Sequence, residues 1–331
     1  ARSTGDDMTI DHPLPAAPGQ LEELSAEGLG ERRTPGFMRT AILGQPAALV
    51  GLAVLFFFVF VAIFGSYLEP YSIHDKTGPV YAPPSSAHWL GTDDGGVDML
   101  SLLIAGTRVS MEVGFAAALV AMLIGGAVGV VSGFVGGIID VVLMRITDIF
   151  LVIPDIPLMI VMAAVFGRSL KNIIIIIGII YWTSTARLIR AQVKSVRERV
   201  YVKRARSLGA TNNRLVFKHV LPQVAPLLIA NTVLMVALAV FAETYITFLG
   251  LGDPSAISWG RLIENAFLGN AVLNNAWWAI VPPGVCVTIV ILACTMVGQS
   301  MEDALNPRLK VGHLSVRRFR LRPLGGKLDS E

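Results

Sequence analysis

"YVKRARSLGATNNRLVFKHVLPQ", Tyr201 to Gln223, is dense in Lys and Arg, broken by Leu-Gly-Ala and closed by Leu-Pro. It lies between the apolar runs "IIIIIGIIYW" (173–182) and "LLIANTVLMVALAVF" (227–241). A basic block between two such runs reads as a polar insert between membrane spans. Its pattern is amphipathic, which suits a membrane surface or a protein groove. Gly209 follows Ala205-Arg206-Ser207-Leu208, where a helix end calls for a residue in the left-handed region. Thr211 can cap a second short helix, and Pro222 stops that helix or opens the next span. The segment is therefore expected to form a stiff helix-Gly-helix elbow projecting from the membrane.

Composition agrees with a membrane setting. Hydrophobic residues make up 53% of the 331 and charged residues 15%, with a mean hydropathy of +0.64. Soluble domains carry about 25% charged residues, so the bilayer is the expected solvent. Spans need roughly 20 apolar residues, and six stretches qualify: 46–66, 102–134, 140–166, 173–189, 226–250 and 277–298. Residues 1–45 and 301–331 are expected to be polar tails, the first with Pro13, Pro15 and Pro18 and no apolar run of a secretory signal. Segment 67–101 is expected on the outside. Of the 27 Lys and Arg, 22 fall on the side of the elbow (191–222) and both tails, and five on the other. By the positive-inside rule, elbow and termini are cytoplasmic. Cys286 and Cys294, about 12 Å apart on one helix, are too far apart to bridge. Gly125, Gly129, Gly133 and Gly137 repeat every fourth residue, a stripe suited to close helix packing or to a hinge.

The elbow resembles the cytoplasmic signature of ABC importer permeases: Glu-Ala-Ala, three residues, Gly, nine residues, Ile-x-Leu-Pro. Lys203-Arg204-Ala205 occupy the triplet, Gly209 the glycine and Leu221-Pro222 the close, with His219 at the Ile position. Lys203 and Arg204 depart from the family's Glu and Ala. "HWLGTDDGGVDMLSLLIAGTRVS" (88–110) is similar to the stretch before the second span of oligopeptide and dipeptide permeases of the C type, with Val97 in place of an arginine. "ARLIRAQVKSVRERVYV", "ETYITFLGLG", "SWGRLI" and "EDALNPRLK" extend the likeness in order over nearly everything after residue 45.

The resemblance implies an all-α membrane protein with six spans in the type I importer arrangement, acting as permease for short peptides. Nickel chelates or glutathione are alternative cargoes. It implies a homologous second permease subunit, two cytoplasmic ATPase subunits (or one fused pair) holding ATP and magnesium, and an extracytoplasmic binding protein. Lys203, Arg204, Ala205, Leu208, Gly209, Ala210, Leu221 and Pro222 would couple to the ATPase. Asn231, Thr232 and Thr244 are candidates for the path wall. Trp89, Asp93, Asp94 and Asp98 are candidates for the platform under the binding protein.

The chain has no Gly-x-x-x-x-Gly-Lys-[Ser/Thr] loop to cradle a nucleotide, so hydrolysis belongs to other chains, and no cofactor, metal or nucleic acid is expected of this one. His-Glu-x-x-His and Gly-x-Ser-x-Gly are absent, which removes intramembrane zinc and serine chemistry. Asp148 and Asp155, seven apart on one expected helix, are about 10 Å apart and cannot face each other as a protease pair. A stand-alone secondary transporter, the rival class, would place ionisable groups near mid-bilayer. Among Glu112, Asp140, Arg145, Asp148, Asp155 and Glu243, only Asp148 is expected to lie deep, paired with Arg145 three residues away.

Overall fold

Backbone buried in hydrocarbon must satisfy its own hydrogen bonds, and the chain answers with helices. A computed structural model describes residues 45–305; the outer parts of both expected tails, with the basic residues counted there, lie outside the described residues. The helices are α1 (Pro46–Leu68), α2 (Met99–Val135), α3 (Gly137–Val152), α4 (Asp155–Phe166), α5 (Leu170–Arg197), α6 (Val200–Ser207), α7 (Asn212–Leu215), α8 (Leu221–Ile246), α9 (Trp259–Leu268) and α10 (Val281–Leu305). Wider π turns, Val216–Val220 and Thr247–Leu251, flank α8. No strand occurs among the described residues. Five segments are long and apolar enough to cross a bilayer, and α3 with α4, bent at their junction, makes a sixth when the bent pair is counted as one span. The protein is an all-α, six-span membrane protein.

Much of the exterior of the spans is apolar. On α1, Ala48, Gly51, Leu55, Phe58, Val61 and Gly65 recur at helical spacing and are buried. Phe56, Phe57 and Ile63 point outward. Lipid accepts that face, so packing quality rather than water exclusion decides which faces meet.

The tightest meeting is α2 against α5. A Cβ on Gly129 would stand 2.7 Å from the Ala186 carbonyl oxygen and 2.8 Å from Ile189 Cβ. Gly125 meets Trp182 and Thr185 in the same way, and Gly133 meets Arg190 and Val193. The glycine stripe is thus a packing face over three positions. Gly137 does not belong to it: it lies beyond the end of α2, with nothing within 4 Å of its would-be Cβ. The remaining spans assemble around this pair, α8 on both members, α10 on α8, and α1 on α10 and α2.

The expected third span, 140–166, is not one helix. It breaks at Ile153 and Pro154, and its halves meet at 89°. Pro154 has no N–H to give, and the residue before a proline is driven out of the helical region; Ile153 is extended, with φ −78° and ψ 126°. Asp148 and Asp155 therefore lie on different helices.

A bulky residue at Gly129 is expected to push α2 from α5. Gly129→Val should lower the thermal midpoint of the purified protein by the equivalent of about 1–3 kcal/mol. Gly284→Ala, in α10 with nothing within 4 Å, should leave it unchanged or raise it by the equivalent of about 0.5–1 kcal/mol. Equal midpoints for wild type and Gly129→Val would show that the α2–α5 contact is looser than described.

Candidate functional site: an anchored elbow and a structured loop

α5 runs on past the apolar run to Arg197, and the chain then turns into α6. The end of α6 is closed by two backbone bonds: Gly209 N–H donates to the Arg206 carbonyl (3.0 Å) and Ala210 N–H to the Ala205 carbonyl (3.1 Å). That pair is a Schellman closure, which requires a left-handed residue, and Gly209 has φ +83°. Thr211 Oγ1 then accepts from Arg214 N–H at 3.4 Å and starts α7. The π turn Val216–Val220 carries the backbone into α8, with Pro222 in its first turn, where the missing N–H costs nothing.

The elbow is fixed at its base and bare at its tip. Val202, Leu215 and Val220 are fully buried in one cluster with Phe134, Ile189, Val193, Val196 and Val224 of the spans. Ala205 and Ala210 pack against that cluster and Leu221 is half-buried, while Leu208 is 88% exposed, beside exposed Gly209. Lys203 and Arg204 are exposed. Lys203 Nζ lies 2.9 Å from Glu198 Oε2, and this partner holds the Glu198 carboxyl below its ordinary range. The departure from the signature's acidic residue thus has a local acid to pair with.

The path candidates on α8 differ in their bonding. Asn231 is buried and its amide donates to Thr185 Oγ1 (2.9 Å), tying α8 to α5. Thr232 and Thr244, both half-buried, donate to carbonyls of their own helix, Leu228 and Val240.

At the far end of the spans, segment 69–98 is held by backbone bonds across its turns, such as Tyr81 N–H to the Asp93 carbonyl (3.0 Å) and Thr92 N–H to the Ala82 carbonyl (3.1 Å), and by side chains. Thr92 Oγ1 donates to the Pro79 carbonyl, and Trp278 Nε1 donates to the Thr92 carbonyl (3.1 Å). Asp98 is buried: Oδ2 caps α2 by accepting from Ser101 N–H and Oγ–H, each at 2.9 Å, and Oδ1 lies 2.9 Å from His88 Nδ1. Asp93 folds its own turn, accepting from Gly95 and Val97 N–H. Burial raises its carboxyl above the ordinary range, against the pull of those donors. Trp89, 73% exposed, and Asp94 are the platform candidates that face outward.

Several ion pairs differ from local expectation. Asp148 pairs with Arg187 of α5 rather than with Arg145. Asp140 takes both Nε and Nη2 of Arg190 and, at 2.7 Å, Lys194 Nζ. These pairs lock α3 to α5 across 39 to 54 residues of chain. The one signal for them was periodicity: Arg187, Arg190 and Lys194 share a helix face opposite Asp140 and Asp148.

A broken-span helical bundle with a rigid basic elbow is the build of a transport permease. The chain belongs to the family described as binding-protein-dependent transport system inner membrane component, which matches residues 125–311, more than half of its length. Residues 40–84 match the N-terminal TM domain of oligopeptide transport permease C. The family is one of transport components rather than enzymes. The chain is similar to the dipeptide transport system permease protein DppC of Alkalihalophilus pseudofirmus, 34% identical over 266 residues, covering 80% of this chain and 86% of that protein. It is also similar to the oligopeptide transport system permease protein OppC of Bacillus subtilis, 33% identical over 304 residues, covering 90% and 96% respectively. A putative peptide permease protein of Brucella suis is 32% identical over 271 residues, covering 81% and 89%.

Asp98→Ala removes a cap and leaves His88 without its acid. It should cost about 0.5–2 kcal/mol, read as a lower thermal midpoint and faster hydrogen exchange in the first turn of α2. Asp94→Lys should change neither. Unaltered exchange in Asp98→Ala would mean that the cap does not hold this turn.

Proposed function

We propose that this chain lines half of the path of an ATP-driven importer for short peptides, opposite a second, homologous permease subunit. Two ATPase subunits, or one fused pair, bind ATP and magnesium on the cytoplasmic side, and an extracytoplasmic binding protein delivers the cargo. Support for the cargo class comes from relatives named for dipeptide and oligopeptide transport. The coupling role rests on one observation: an exposed Leu208–Gly209 tip on a base whose apolar side chains are locked into the span core.

A load applied to such a tip reaches α5 and α8 as a rigid-body displacement, because the cluster beneath cannot yield without opening voids. A loose loop would absorb it. In this reading 191–222 is the coupling segment, 46–300 the permease domain, and 1–45 and 301–331 the cytoplasmic tails. Trp89 and Asp94 face the binding protein, and Thr232 and Thr244 contribute to the path wall. The Lys and Arg asymmetry supports the orientation.

Gly209→Val is the first test. A Cβ there meets nothing within 4 Å inside this chain, so the damage is to the left-handed turn, about 1–2 kcal/mol, and to docking outside the chain. Cargo-stimulated ATPase activity of the assembled transporter should fall several-fold while the complex stays folded. Gly209→Asn, which tolerates the left-handed region, should retain more of the stimulation. Full stimulation in the valine variant would sink the coupling role.

Orientation is tested separately. With Cys286 and Cys294 replaced by Ala, cysteines introduced singly at Ser85 and Asn213 should react with a membrane-impermeant thiol reagent from opposite sides. Ser85→Cys should label in intact cells and Asn213→Cys only after the membrane is opened. Labelling of Asn213→Cys from outside would invert the topology and put the elbow out of reach of any cytoplasmic ATPase.

A further inference from the structure

Beside the elbow lies a groove of 1020 Å³, lined in part by the proposed coupling segment. One wall is the last third of α2, from Met122 to Val135, and the other is the elbow and the start of α8, from Asn212 to Leu228. Its α2 wall and the Leu228 side are apolar, with Leu123, Ala127 and Val131 exposed to the groove and Leu228 half-buried. Its mouth is cationic. Arg197 Nη1 donates to the Phe134 carbonyl at 2.9 Å, and the Arg206 guanidinium stands 5.7 Å from the centre of the Phe134 ring. No Asp or Glu lines the groove among the described residues, although Arg197 Nε lies 3.4 Å from Glu198 Oε1.

We propose that this groove binds an anionic phospholipid, its acyl chains along α2 and its phosphate between Arg197 and Arg206. Length supports it. The α2 wall covers 13 steps from Met122 to Val135, about 20 Å, close to half of a bilayer about 40–45 Å thick with its headgroups. Polarity follows the same axis: hydrocarbon-like walls sit toward the bilayer middle and two guanidinium groups at the end where headgroups lie. Arginine at that depth presents a fork that matches phosphate oxygens. Arg206 bears no carboxylate contact among the described residues, so its charge faces the mouth uncompensated. A lipid seated there touches α2 and the elbow at once and would stiffen the joint between them. Which leaflet supplies it rests on the orientation proposed above; the groove and its two guanidinium groups do not.

The test uses the assembled transporter in phosphatidylcholine vesicles containing a trace of photoactivatable phosphatidylglycerol or photoactivatable phosphatidylcholine, the reactive group near the acyl terminus. Crosslinked peptides are mapped by mass spectrometry. The phosphatidylglycerol probe should label α2 within 122–135 and α8 near Leu228, and unlabelled phosphatidylglycerol should compete while inorganic phosphate does not. Arg197→Gln with Arg206→Gln should reduce that labelling about twenty-fivefold, from about fivefold for each cation near an anionic surface. Because Arg197 also holds the Phe134 carbonyl, Arg206→Gln alone provides a check, at about fivefold. Ala127→Trp, which fills the groove and leaves both charges, should abolish labelling there and leave the lipid-facing side of α1 labelled as before. Equal labelling by the two probes, or labelling indifferent to both Arg206→Gln and Ala127→Trp, would reduce the groove to ordinary lipid contact and overturn the proposal. Labelling of the full chain alone that vanishes in the assembled transporter would make the groove a subunit interface and overturn it as well. With the probe placed in one leaflet only, labelling from the side on which Asn213→Cys reacts supports the lipid site whichever side that is, so a reversed topology and a failed lipid site give different results.

Discussion

The approach of α2 to α5 over Gly125, Gly129 and Gly133 sets the geometry on which the other contacts rest. In water two such helices would be driven together by their apolar faces; in hydrocarbon that drive is absent, and contact has to come from close packing. Missing side chains let the backbones approach. Arg190 and Lys194 then reach Asp140, and Ile189, Val193 and Val196 meet Phe134 in the cluster that seats the elbow. Moving α5 outward by one methyl group would loosen the ion pairs and the elbow together.

The far end of the bundle relies on a second, polar node. Glu243 is fully buried yet hydrogen-bonded: Thr247 Oγ1 donates to Oε1 at 3.0 Å and Ser110 Oγ to Oε2 at 3.3 Å. Ser110 Oγ in turn accepts from Trp259 N–H at 3.1 Å. Trp259 is the largest fully buried side chain among the described residues and packs edge-on to Phe58 of α1. One carboxyl group thus joins α2 and α8, and through Ser110 and Trp259 reaches α9 and α1. A buried polar group is costly unless it is hydrogen-bonded, and Ser110 and Thr247 supply those bonds.

Much of this was legible in the residues because a run of about 20 apolar side chains has few uses other than a span. The turn at Gly209 was legible because left-handed backbone selects glycine. Pro154 stood in plain view, but membrane helices tolerate proline when neighbours satisfy the freed carbonyls, so it marked a kink no more clearly than the 89° break that occurs. The pairs Asp148–Arg187 and Ser110–Glu243 join residues 39 and 133 apart, and no local rule reaches that far. Arg145 was the nearer partner for Asp148 in the chain, but the helix across from it brings Arg187 within bonding distance. The ten-residue α9 is too short to count as a span, so no span rule picks out the segment that buries Trp259. Asp98 was legible only as an acid of the candidate platform; that it caps α2 depends on His88 and Ser101 folding around it.

These contacts divide the molecule into stiff and compliant parts. α5, the elbow and α8 share one buried cluster at the elbow end, and Asn231 to Thr185 ties α5 to α8 again further along. α2 belongs to the same body through its glycine face. The joint between α3 and α4 is built differently: Ile153 and Pro154 lack helical bonding, α3 exposes most of its apolar residues, and α4 packs on α5 and α8 through Met159 and Ala163, with Leu158 and Met162 beside them. α3 is nevertheless pinned to α5 by Asp140 and Asp148. Any displacement passed up from the elbow is therefore carried whole by α2, α5 and α8 with α3 following, and the cheapest place for the bundle to change shape is the hinge before α4, where no regular hydrogen bond has to break.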